Sequence, residues 1–140
     1  MRLPPMPFRR RVRFTFELGR ALFWLTRIEI GLRRHPLPVL CRKLGIDCDL
    51  RRVNPPAAVP IVLPRHTRTA VLACMYAVAR WPFGNTSLRR CLVLGRRLRT
   101  LDPVLRMGVR RDDEPLVPTW LEIGGRALDA TAAQYAALIN

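Results

Sequence analysis

Carboxylates, histidine and lysine are all scarce in this 140-residue chain: 10 acidic side chains and 2 histidines stand against 25 basic ones, and Lys43 is the only lysine. So few histidines leave little material for metal or acid–base chemistry. The four cysteines, Cys41, Cys48, Cys74 and Cys91, form no Cys-x-x-Cys pair and have no histidine at ligand spacing, which argues against a zinc site. No metal or other cofactor is expected. Long apolar runs are absent as well. The longest, residues 70–79, is bounded by Arg68 and Arg80 and falls well short of the ~20 residues that span a bilayer. Arg20 and Arg27 interrupt the N-terminal apolar stretch and no small-residue cleavage site follows, so no secretory signal is read there. The expected location is the cytoplasm, with reduced thiols, and the inner membrane face is a candidate peripheral surface.

What is present is a globular composition, 49% apolar, in a length that suits one domain with its own core. A single domain over residues 1–140 is expected, with residues 1–8 as a loose lead-in because Pro4, Pro5 and Pro7 disfavour helix. The net charge of +15 attracts anions: nucleic acid, an anionic membrane surface or an acidic peptide. A nucleic-acid role has little support, because the arginines are spread over several segments and no recognition motif accompanies them.

From Arg9 onward Phe14, Leu18, Ala21, Leu25, Ile28 and Leu32 recur at three- and four-residue steps, the core stripe of an amphipathic helix. Its other side carries Arg13, Arg20, Arg27 and Arg34, with Phe16, Phe23 and Ile30 beside them. That face is either a solvated one covered by arginine stems or a docking surface for a partner or a membrane. Pro36 and Pro38 break the helix, a short helix over 39–44 follows, and Gly45 ends it. Residues 54–60 read as a loop. An Ala-, Val- and Leu-rich helix over 65–80 should form the centre of the core. Asn85 and Thr86 then cap an arginine-rich helix reaching residue 99, with Leu88, Cys91, Leu92, Gly95 and Leu98 inward and Arg89, Arg90, Arg96, Arg97 and Arg99 as a solvated outer face.

After Asp102-Pro103 the period changes from helical to alternating, predicting a strand through Leu105, Met107 and Val109. Residues 112–115 make a turn, 116–123 a second strand, and Gly124-Gly125 a hairpin into a third strand at 126–128. The tail over 131–139 is a candidate helix. Helices followed by antiparallel strands predict an α+β domain.

The segment Trp81-Pro82-Phe83-Gly84-Asn85-Thr86-Ser87-Leu88-Arg89-Arg90-Cys91-Leu92-Val93-Leu94-Gly95, then Pro103-Val104-Leu105-Arg106-Met107-Gly108-Val109, then Trp120-Leu121-Glu122-Ile123-Gly124-Gly125-Arg126, resembles the microcin-processing leader peptidases of lasso-peptide biosynthesis. These form a branch of the papain/transglutaminase superfamily. The resemblance is specific over residues 81–129 and weaker over 9–80. It implies a papain/transglutaminase-like fold with a helical N-terminal half and a small antiparallel sheet. It also implies a cysteine at a helix N-terminus, where the helix dipole favours thiolate, served by a histidine and a carboxylate from the sheet. The partners implied are a precursor peptide, a leader-recognition protein and an ATP-dependent lasso cyclase.

Two of the three catalytic positions depart from the family pattern. Ser87 stands where the family has its nucleophilic cysteine, and Pro118, in Val117-Pro118-Thr119-Trp120, stands where the family has histidine; Asp129 matches the acid. The implied site is degenerate. Ser87 would need an adjacent base, which Pro118 does not supply. Cys91 lies one helical turn, about 5–6 Å, further on; it reads as a buried structural cysteine, with a displaced nucleophile as the alternative. His66 precedes Ser87, the reverse of the superfamily's order, and His35 sits at a helix end. Trp120 either lines a peptide groove or belongs to the core, and Asp129 also reads as a turn residue capping the tail helix.

Overall fold

The computed structural model describes residues 5–49, 64, 67–84, 86–107, 119–124 and 126–128. His66, Asn85, Pro118 and Asp129, the loop over 54–60, the turn over 112–115 and the tail over 131–139 lie outside them.

Among the described residues the chain is α+β. Helix α1 (Phe8–Arg34) starts directly after Pro7, whose carbonyl accepts from Arg11 N at 3.0 Å. Proline's preset backbone suits a helix entrance, so the three-proline lead-in becomes the start signal. Of the expected stripe, Phe14, Ala21, Leu25 and Ile28 are buried, and Leu18 and Leu32 are partly buried against the core. Helix α2 (Leu37–Leu44) begins two residues earlier than expected, because Pro38 falls in its first turn, where no amide donor is needed. Gly45, with φ of 78°, ends it in the left-handed conformation that glycine adopts without strain.

Strand β1 (Asp47–Asp49) follows at once. Helix α3 (Arg68–Ala79) is entered through Thr67, whose hydroxyl donates to the Pro64 carbonyl at 2.7 Å. It is buried on almost every side and is the central core helix, flanked by α1 and by α4 (Ser87–Arg97). Helix α4 stops two residues short of expectation and tightens into a single 3-10 turn, Arg99–Leu101. Strands β2 (Val104–Met107), β3 (Thr119–Ile123) and β4 (Arg126–Leu128) follow among the described residues. Gly124, at φ 61°, turns the β3–β4 hairpin.

The sheet runs β1-β2-β3-β4. The last two pairings are antiparallel, but β1 pairs in parallel with β2, Asp47 opposite Val104. This corrects the expectation of a purely antiparallel sheet. A three-residue strand is too short to show a period, and its partner lies beyond the α3–α4 crossover that a parallel pairing requires. Leu105 and Leu121, opposite each other in β2 and β3, point into the helices and are 0% and 1% exposed.

Helix α4 meets the sheet closely at Gly95. A β-carbon there would come 2.6 Å from Ile46 Cδ1 and 3.3 Å from Leu121 Cδ1. Gly95→Val should therefore destabilise the protein by about 1–3 kcal/mol in urea titration, even though valine is the better helix former. An unchanged midpoint would mean that Ile46 moves aside without cost.

The expected solvated face of α4 is corrected too. Arg89 and Arg97 turn inward to Glu29 and Glu17 of α1. Arg96 lies 4.0 Å over the Trp24 ring and donates to the Leu44 carbonyl at the end of α2. Arginines outnumber every other polar residue on this helix, and those facing α1 meet its only two carboxylates. A run of like charge becomes a set of ties between helices.

Candidate functional site

Ser87, the expected nucleophile position, lies where the Trp81–Gly84 turn enters α4. Gly84, at φ 110°, closes the turn, and its amide donates to the Trp81 carbonyl at 3.2 Å. Thr86 is the N-cap, its hydroxyl accepting from Arg89 N at 3.3 Å, so Ser87 is the first helical residue and is half-buried. This is the local setting in which the resemblance places a nucleophile.

The turn is tied to α1. Arg89 donates from Nε to Glu29 Oε2 at 2.9 Å and from Nη2 to Oε1 at 3.0 Å, and Trp81 Nε1 donates to the same carboxylate at 3.4 Å. The Arg89 hydrogen bond holds the Glu29 carboxyl below its usual range, against the opposing effect of burial. A carboxylate held ionised in this way is a weak proton acceptor and makes a poor general base for Ser87.

One turn along α4, Cys91 is 8% exposed and directs its thiol to the Thr119 carbonyl at 3.7 Å. Burial pushes that thiol up to about 12, and the positive charge of Arg90 offsets this only in part. At neutral pH a thiol so placed is protonated. The same contact holds the first residue of β3 against the second turn of α4.

Trp120 is half-buried and turned the other way. Alternation along β3 puts it on the sheet face opposite Leu121, hence away from α4, with Arg106 across from it. Its indole donates to Glu122 Oε1 at 3.2 Å, while Glu122 Oε2 accepts from Arg106 Nε at 2.7 Å. Trp120 is thus neither in the core cluster nor beside Ser87; it belongs to a polar cluster on the outer sheet face.

The β3 entrance thus touches α4 at Cys91, one turn beyond Ser87, while the Trp120 side chain lies on the far face of the sheet. Pro118, Asp129 and His66 lie outside the described residues. His35, the one histidine among the described residues, sits at the α1–α2 junction, its Nε2 3.1 Å from Lys43 Nζ. No group of three potential metal ligands occurs among the described residues.

The Glu29–Arg89–Trp81 cluster had a legible signal that the sequence reading passed over. Glu17 and Glu29 fall on or beside the apolar stripe of α1 and not on its arginine face, a position that asks for a buried cation. Compared with known proteins, the chain matches no family model and has no significant match among curated proteins or solved structures.

Proposed function

We propose that this chain is a maturation protein for a ribosomally made peptide, related to the lasso-peptide leader peptidases, and that it keeps the peptide-handling frame of a papain/transglutaminase-like domain without its hydrolytic centre. The observation that supports this reading is the Cys91–Thr119 contact of 3.7 Å. It brings the start of β3 against α4 one helical turn beyond Ser87.

The chemistry of the residues argues against turnover. Ser87 is a hydroxyl in need of a base, and Glu29, tied to the same turn through Arg89, is committed to its arginine. Cys91 is protonated and covered. The function left to such a site is to hold the precursor peptide together with a leader-recognition protein and an ATP-dependent cyclase.

The test is leader release, followed by mass spectrometry, with the precursor and the recognition protein present. The native chain should release no leader while still retaining the precursor in a pull-down, and Ser87→Cys combined with Pro118→His should restore cleavage. Cleavage by the native chain would overturn the loss of activity. Absence of both cleavage and precursor retention in every variant would overturn the family reading.

A further inference from the structure

Six of the seven large apolar side chains exposed among the described residues lie on one helix, α1: Phe8, Val12, Phe16, Leu22, Phe23 and Ile30. Phe16 and Phe23 are 70% and 55% exposed. At ~100° per residue, Phe8, Val12, Phe16, Phe23 and Ile30 fall within an arc of about 80°, and from Phe8 to Ile30 the row is about 33 Å long. Arginines flank it on both sides: Arg9, Arg20, Arg27 and Arg34 along one edge, Arg11 and Arg33 along the other. Both acids of the helix lie outside this arc, are largely covered and are held by Arg89 and Arg97 of α4, with Arg33 also 3.9 Å from Glu29, so neither carboxylate stands in the apolar row.

The row ends at a cleft of about 360 Å³ between α1 and α2. Arg27, Arg34, His35 and Lys43 line it, and no acidic residue does. Arg27 also stands 5.9 Å from the centre of the Phe23 ring, linking the cationic edge to the apolar row.

We propose that the outward face of α1 lies along an anionic lipid surface, with the aromatic row among the upper acyl chains, the flanking guanidinium groups at the phosphates and the cleft receiving a lipid headgroup phosphate. A long row of side chains along one side of a helix can lie along a plane. An apolar centre with cationic borders and no acid in the row is the complement of anionic headgroups over hydrocarbon. No helix among the described residues is long and apolar enough to cross a membrane, so attachment is along the surface. Because α4 packs on the inward side of α1, Ser87 and its surroundings stay on the side away from the lipid. The inference does not depend on the peptidase-like reading.

The test is flotation of the full chain with vesicles on a density gradient at ~0.1 M salt. With equal parts phosphatidylglycerol and phosphatidylcholine the chain should rise with the lipid, and with phosphatidylcholine alone it should stay behind. Phe16→Ser with Phe23→Ser should weaken partitioning by at least about tenfold, as should Arg27→Gln with Arg34→Gln. Both rings are exposed in the free protein, so the urea midpoint of the first variant should match that of the native chain, which separates lost attachment from lost folding. Three results would overturn the proposal: no flotation with the anionic vesicles; equal flotation with neutral ones; or flotation unaffected by the phenylalanine substitutions.

Discussion

Glu29→Ala is expected to destabilise the protein by about 2–4 kcal/mol, and Glu29→Met combined with Arg89→Met by much less. In the native chain this carboxylate accepts two short hydrogen bonds from Arg89 and one from Trp81, at side-chain exposures of 11% for Glu29 and 17% for Arg89. Removing the acid alone leaves a largely covered guanidinium whose remaining contact is a 3.4 Å one to the Thr86 hydroxyl. Removing one member of a buried pair costs about 3–5 kcal/mol, whereas replacing both with apolar side chains is often neutral. The residual exposure places this pair somewhat below that range. Urea titration of the two single variants and the double one provides the coupling energy directly. A loss below ~1 kcal/mol for Glu29→Ala would mean that the pair behaves as a surface one.

The same pair sets the response to acid. Hydrogen bonds from Arg89 to Glu29 and from Arg97 to Glu17 hold both carboxyls below the ordinary glutamate value. A group with a lowered folded pKa contributes its stability above the unfolded value, about 4.3, and loses it as pH falls through the folded one. Stability should therefore change little from these two groups between pH 8 and 5 and decline below about pH 4. Glu29→Ala should flatten that decline relative to the native chain.

Alkylation provides the second large effect. Burial pushes the thiols of Cys41, Cys74 and Cys91 each up to about 12. At pH 8 such a thiol is ionised to about one part in ten thousand, against roughly a quarter for an ordinary cysteine of pKa ~8.5. Iodoacetamide should label these three residues about a thousandfold more slowly in the native protein than in urea, as peptide mapping would show. Rapid native labelling of Cys91 alone would instead mark it as an activated nucleophile and reopen the possibility of a live enzyme. Uniformly slow labelling would show these three thiols to be covered core side chains.

Much of the secondary structure was legible along the chain because it depends on neighbours a few positions apart. The α1 stripe from Phe14 to Ile28, the Gly45 stop, the Thr86 cap and the Gly124 hairpin all follow from local spacing and backbone preference. Ser87 could likewise be placed at a helix start, because the turn before it and the cap beside it are local features. Less could be read where a residue's setting depends on a distant segment. Trp120 alternates correctly in β3, yet the face it occupies is set by Arg106 and Glu122, and Cys91 is covered where its thiol meets the start of β3.

The sequence alone determined the amphipathic helices, the Gly45 stop, the change to a two-residue period and the α+β class, since each is specified by side chains within one or two turns. Only the tertiary structure decided that β1 joins β2 in parallel and that the arginines of α4 are interhelical ties. Glu29 meets Arg89 and Glu17 meets Arg97 across 60 and 80 residues of chain, separations at which no local pattern specifies a partner. The physical reason is that a buried carboxylate needs a cation, but which of 25 basic side chains supplies it depends on how α1 and α4 pack against the common core of α3.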